Sequence, residues 1–425
     1  MKTLLAVSRT YVIFKTSKLL TEPTLTHSAP PLEGIRVVDL STVLSGPLAA
    51  SMLADQGAEV IKVESLEGDT CRLIGPAKGD LSAMYIATNR GKKSLAMDLK
   101  APQAKSILAK LLVKADVVIN NFRPGVMARL GLDDDALVSI NPRLIRLSIT
   151  GFGTQGDARN DKAYDAVIQA VTGVAATQRN PINGQPTVLA TAVCDKLTAL
   201  TASQAIVSAL FARERDGKGR RIDLSMLDAS LAFQWPDAMY NHVFMEEPPA
   251  TFLEFGINQK PYKTLDGFVA SMCPQNSEFR GQCQALGRQD IADDPRFATL
   301  PLRTRHGKEL RELIEPLMAT FTTQQLIESF RQQTAPIGRI NERQDVLTDA
   351  QVVQSGSLIE FEHGKLGKVR LPQHPALFDG KRLAPSRLAA HLGEHGWEVM
   401  HSLGYTDAEI QNLAAAQVLK VPPGA

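Results

Sequence analysis

Residues 35–64 read IRVVDLSTVLSGPLAASMLADQGAEVIKVE, and this stretch decides the fold. Ile35 to Leu40 is a short apolar run of the kind buried on both faces of a sheet. Ser41 to Gly46 is a turn, and Pro47 suits the first position of a helix. The run LAASMLADQ predicts that helix, which Gly57 ends as a C-terminal cap. Glu59 to Glu64 predicts the next strand. Together they make a βαβ unit, so the fold class is α/β with a parallel, doubly wound sheet. A strand ending in an acid after such a turn invites a nicotinamide reading. The turn STVLSGP, however, offers only Gly46 where pyrophosphate needs the GxGxxG backbone. A fold of this class that binds something other than a dinucleotide is the expectation.

Before this unit the texture differs. Lys2, Arg9, Lys15 and Lys18 precede the first acid, Glu22. That pattern is similar to a mitochondrial transit peptide, but it contains a single Arg. Arg9 and Thr10 interrupt the apolar run that a secretory signal needs. Residues 1–30 are expected to be a disordered extension, with a targeting peptide as the alternative. The first case implies a cytoplasmic protein, the second a mitochondrial-matrix one. No stretch approaches the roughly 20 apolar residues of a membrane span.

After it, NRGKKSLAMDLK at 89–100 crowds Arg90, Lys92, Lys93 and Lys100 into a loop and strand. A solvated turn and a phosphate-binding edge are both open readings. Gln103 to Ala115 predicts a helix, Asp116 to Asn121 a strand, and Arg143 to Thr150 another, closed by the loop GFGTQG. Ligands of open α/β sheets bind beyond the carboxyl ends of strands, where Asn121, Phe122 and Arg123 fall.

Three acids stand in the stretch 161–196: Asp161, Asp165 and Asp195. Asp195 opens a run with Leu197, Leu200, Ile206, Ala209 and Leu210 at helical spacing. An Asp there is an N-cap or a carboxylate nucleophile, and the two are compatible, since a helix N-terminus favours the ionised form. Asp165 reads as a helix N-terminal acid and Asp161 as a loop acid. Tyr164 is either a site wall or a core aromatic spaced with Ile168. Cys194 is a rival nucleophile without a neighbouring histidine to activate it.

At 425 residues two domains are the default. From about Pro248 the βα alternation stops. Lys260 to Met272 predicts a hairpin, and helices are expected at 277–286, 305–319 and 323–331. Two short strands are expected within Leu358–Leu371 and helix within Leu392–Leu419. The net charge of +2 argues against a nucleic-acid or membrane binder. The four cysteines, Cys71, Cys194, Cys273 and Cys283, form no CxxC and have no zinc-ligand spacing, so no metal is expected. No histidine lies between His27 and His242, so proton chemistry in that region falls to carboxylates, Tyr or Lys.

The residues resemble the class III CoA-transferases, the CaiB–BaiF family. LEGIRVVDLSTVLSGPLAASMLADQGAEVIKVE, NRGKKSLAMDLK, DVVINNFRPGVMARLGL, ITGFGTQG, AYDAVIQAVTGV, GKGRRIDLSMLDA, DDPRF, PIGRI and LGEH fall in that family's order over roughly 31–419. The resemblance implies a Rossmann-like large domain from both chain ends, at 31–247 and 371–425, with a smaller α+β domain at 248–370. It also implies an interlocked homodimer and coenzyme A as the bound partner. CoA contacts carry over onto Val43, Met97, Asn121, Phe122, Arg123, Arg129 and Lys162. The family's catalytic aspartate falls on Asp195, with Tyr164 where its racemase branch has a histidine. The implied activity moves CoA from an acyl-CoA donor to a carboxylic acid acceptor through an aspartyl mixed anhydride. The alternatives are a 2-methylacyl-CoA racemase and a non-catalytic CoA-binding protein. The glycine-rich loop of formyl-CoA:oxalate enzymes has no counterpart between Phe255 and Gln275, which argues against oxalate as acceptor.

Overall fold

The computed structural model describes residues 29–180, 183–246, 253–256, 260–363 and 366–423. The expected extension at 1–30 therefore lies outside the described residues apart from its last two, as does the expected boundary at 247/248. The protein is mixed α/β around one mostly parallel seven-stranded sheet. In chain order its strands are β1 (Arg36–Asp39), β2 (Glu59–Glu64), β3 (Lys92–Met97), β4 (Val117–Asn120), β5 (Ile145–Thr150), β6 (Arg221–Ser225) and β7 (Leu419–Lys420). In space they run β7-β3-β2-β1-β4-β5-β6. Every neighbouring pair is parallel except β7 with β3, where Leu419 faces Met97. The order reverses between β1 and β4, and a crevice opens beyond the carboxyl ends of strands at such a point.

Both faces of the sheet are covered, so adjacent residues serve opposite cores. Val37 and Val117 pack with helices α1 (Ser45–Ala54) and, after α2 (Pro102–Val113) and α3 (Asp165–Thr172), α4 (Val193–Asp216). Their neighbours Val38 and Val118 pack with Ile107, Leu108 and Leu111 of α2 and with Met400 and Ile410. The βαβ reading of 35–64 holds to within about two residues at each end. Leu392–Leu419, read as helix, instead holds two helices, Gly396–Ser402 and Asp407–Ala415, and Leu419 opens β7. Gly404 sits at φ +84° between them, which ends the first and reverses the chain.

A separate core joins Val269, Phe279, Phe297, Ile314, Met318, Leu326 and Phe330. The hairpin expected in 260–272 is present as Tyr262–Lys263 paired with Phe268–Ala270. The pair Leu358–His363 and Gly367–Pro372 is antiparallel, and Leu371 packs on Cys71, Leu81 and Tyr85. No helix among the described residues is long and apolar enough to cross a membrane.

Candidate active site

A cavity of about 400 Å³ lies at the reversal point, lined by the turn after β1, the turn after β4, the end of β5 and residues 159–164. Its lining brings together Val43, Asn121, Phe122, Arg123, Lys162, Tyr164 and Asp195, which are distant in sequence. Two other expected contacts are not in it. Met97 is fully buried in the core beside β7, and Arg129 is exposed, three residues beyond Val126 of the lining. Arg159, Ser45 and Gly151 line the cavity as well. Sequence reading passed over Arg159 and Ser45, although a helix start at Pro47 places Ser45 at an N-terminus that faces a strand end, and it met Gly151 as the first residue of the loop GFGTQG. Gly151 allows a close approach, because a Cβ there would stand 2.2 Å from that of Ala163. That approach lays residues 161–164 against the end of β5.

The two turns are tied to each other. Thr42 N–H donates to Asn121 Oδ1 at 2.8 Å, and Asn121 Nδ2 donates back to the Thr42 carbonyl at 2.7 Å. Beneath them lies a buried ionic floor. Lys92 pairs with Asp39 at 2.8 Å and Lys62 with Asp69 at 3.0 Å, all four side chains being at most 2% exposed. Lys62 also donates to the Ser41 carbonyl at 2.7 Å. The basic run at 89–100 is thus split in use. Lys92 belongs to this floor, while Lys93 pairs with Glu59 and Glu398. Neither is a solvated turn residue.

Asp195 is the third residue of α4, whose N-cap is Ala192. The N-cap reading of Asp195 is therefore not what the structure shows. Capping comes from Asp165, whose Oδ1 accepts from the Asp195 N–H at 3.0 Å. The buried Gln169 donates to the other Asp165 oxygen at 2.5 Å and accepts from Leu189 N–H at 2.8 Å. These bonds fix the segment leading into α4. The Asp195 carboxyl is pushed up to about 6, first by burial and then by the Asp165 charge, against the opposing Ser45 hydroxyl and N–H. Sequence reading expected the helix start to favour ionisation; burial and a like-charged neighbour outweigh it. Among the described residues no cation forms an ion pair with Asp195.

Tyr164 is 69% exposed, which excludes the core-aromatic reading. Cys194 is fully buried, its thiol is raised by burial, and it does not line the cavity. No histidine lines the cavity among the described residues. Among those residues, too, no group of His, Cys, Asp and Glu could hold a metal ion.

The chain as a whole is similar to known proteins. The model of CoA-transferase family III matches residues 32–396. A succinate–glutarate CoA-transferase of Agrobacterium fabrum is 37% identical over 88% of this chain and 96% of its own. The human succinyl-CoA:glutarate CoA-transferase is 32% identical over 92% and 91%. A crystal structure of a CAIB/BAIF family protein from Brucella suis superposes with a TM-score of 0.76 at 32% identity, covering 88% of this chain and 100% of the other.

Proposed function

This chain belongs to CoA-transferase family III and is a CoA-transferase acting on CoA thioesters and carboxylic acids, and from that premise we propose that Asp195 is its nucleophile. The observation that carries the reading is the Asp195 carboxylate itself. It is half-buried on the cavity, it has no cation partner among the described residues, and two Ser45 donors face it. A carboxylate paired to a cation is a poorer nucleophile than one held only by weak donors.

In the proposed sequence one Asp195 oxygen attacks the donor thioester carbonyl. The C–S bond breaks, CoA thiolate leaves, and an aspartyl mixed anhydride remains. The thiolate attacks the aspartyl carbonyl, which frees the donor acid and leaves an aspartyl thioester. The acceptor carboxylate attacks that thioester and expels the thiolate, giving a second anhydride. Thiolate attack on the acceptor acyl carbon releases the new thioester and regenerates Asp195. No step moves a proton, which suits a cavity lined by no histidine among the described residues. A racemase must take and return a proton α to the thioester, and Tyr164 stands at the family's racemase histidine.

Val43, Asn121, Phe122, Arg123 and Lys162 are the proposed CoA contacts, with Arg123 and Lys162 as cations for its phosphates. The substrates named for the relatives make succinyl-CoA and glutarate the first donor and acceptor to assay. A homodimer is proposed as well, and the exposed apolar side chains Val171, Leu200, Phe211, Phe233 and Trp235 support it. The test of the nucleophile is Asp195→Ala with succinyl-CoA and a panel of dicarboxylates. Transfer is expected to fall by about a thousandfold or more. Hydroxylamine with donor present is expected to modify wild-type Asp195, as read by mass spectrometry. Wild-type-like transfer by the variant, or modification of Cys194 instead, sinks the reading. Tight CoA binding by the wild type with no turnover on any acceptor would make the protein a CoA binder.

A further inference from the structure

One residue of the cavity sits in a conformation its side chain disfavours. Val43 has φ +69°, in the left-handed region that β-branched residues avoid. Such outliers persist only where the surroundings over-determine them. The surroundings here are specific. The Val43 N–H donates to both oxygens of Asp69, each at 3.1 Å. The Asp69 side chain is fully buried and pairs with the equally buried Lys62 at 3.0 Å. Oδ1 of Asp69 also accepts from Cys71 N–H at 2.9 Å, and the Asp69 N–H donates to Glu64 Oε2 at 3.1 Å. The carboxylate is thereby anchored to β2 on one side and to the turn on the other. Lys62 grips the same turn one step earlier, through the Ser41 carbonyl. Asn121 holds Thr42 between these two grips. Two residues after Val43 the chain reaches Ser45, the first residue of α1, whose N–H and hydroxyl face the Asp195 carboxylate.

We propose that Asp69 is a positioning residue for transfer: its buried carboxylate holds Val43 in the left-handed conformation and so delivers the Ser45 N–H and hydroxyl to Asp195. This rests on the reading of Asp195 as the nucleophile. The role is distinct from substrate contact, since Asp69 does not line the cavity. It acts through the backbone of a turn whose natural relaxation, with Val43 returning to negative φ, would turn its N–H away from Asp69 and move the start of α1. Glycine adopts φ +69° without steric cost, so Val43→Gly removes the need for the Asp69 grip.

The test is a double-mutant cycle of Asp69→Asn and Val43→Gly in the full chain, with Asp195→Ala alongside. Succinyl-CoA and glutarate serve as substrates, and melting temperatures report folding. Asn at 69 loses the charge facing Lys62 and one of the two acceptor oxygens. In the wild-type background kcat is expected to fall about tenfold, with KM for the thioester changing less. The acid limb of kcat/KM is expected to move to higher pH, because the Ser45 donors that hold the Asp195 carboxyl down are displaced. In the Val43→Gly background the same change is expected to cost about twofold or less, a coupling that independent sites do not show. A folded Asp69→Asn protein with wild-type kcat and pH profile overturns the proposal, as does an equal fall in both backgrounds. Where Asp69→Asn does not fold, Val43→Gly against Val43→Ala decides. A held strain, which alanine keeps and glycine relieves, makes the glycine variant melt higher, and a glycine variant melting at or below the alanine one overturns the proposal. An active Asp195→Ala protein overturns the nucleophile reading itself. An inactive one beside an unimpaired Asp69→Asn overturns only the positioning role.

Discussion

Asp39 and Asp195 stand on opposite sides of one turn and meet burial in opposite ways. Burial pushes both carboxyls up. For Asp39 the charges of Lys92 and Lys62, with hydrogen bonds from Lys92 and Ser41, more than reverse it and hold the group below its ordinary value. For Asp195 the charge that acts on the carboxyl is Asp165, which adds to the rise, to about 6. The floor of the cavity is thus neutralised pair by pair, while its edge keeps a carboxylate with no ion-pair partner among the described residues. The first arrangement makes a rigid base for the turn. The second leaves an anion whose desolvation cost is met elsewhere in the fold, which is what a nucleophile requires.

Breaking the floor is expected to have the largest effect. Lys92→Met leaves Asp39 buried with one cation fewer, and loss of one partner of a buried pair costs about 3–5 kcal/mol. A fall in urea midpoint and melting temperature measures it. A loss under about 1 kcal/mol would mean that Lys62 and Ser41 suffice to hold Asp39.

At the edge the sign reverses. The folded protein binds the Asp195 proton more tightly than the unfolded chain, whose carboxyl keeps the ordinary value of 3.8. The group therefore favours the folded state below pH 4, and that contribution is lost as pH climbs through 6. Asp195→Asn is expected to abolish transfer yet stabilise the protein at pH 7.5 by about 1–2 kcal/mol, after allowance for its partial exposure. The gain should vanish at pH 4. A variant no more stable than wild type at pH 7.5 breaks the contrast between the two aspartates.

The smallest expected effect sharpens the contrast. Asp165→Asn keeps an oxygen for the Asp195 N–H and removes the like charge. The acid limb of kcat/KM is expected to move down by about half a unit to one unit. An unmoved limb would leave burial alone as the cause of the rise.

Much of the scaffold was legible because its causes are local. Alternating cores written as Val37-Val38 and Val117-Val118, and a proline and a glycine framing α1, announce a covered parallel sheet. The candidate nucleophile was singled out by the family resemblance, since local chemistry alone could not separate it from an N-cap. What stayed hidden depends on pairings across the chain. Asp165 caps Asp195 from 30 residues away, and Asp69 grips Val43 from 26. Neither bond leaves a periodic trace. The left-handed Val43 was also hidden, because valine is the residue type least suggestive of that conformation. Leu419 read as the end of a helix because two residues are too few to show a strand's alternation.

The pairing of β7 with β3 has a consequence during synthesis. Until Leu419 and Lys420 emerge, Ala96 and Met97 form an open margin of the sheet. At ordinary elongation rates the ribosome needs on the order of 15–60 s to travel from one partner to the other. For that interval the nascent chain carries an unpaired strand able to template pairing with another copy. The last strand of the described sheet is thus a closing latch, which seals that margin long after the margin itself is made.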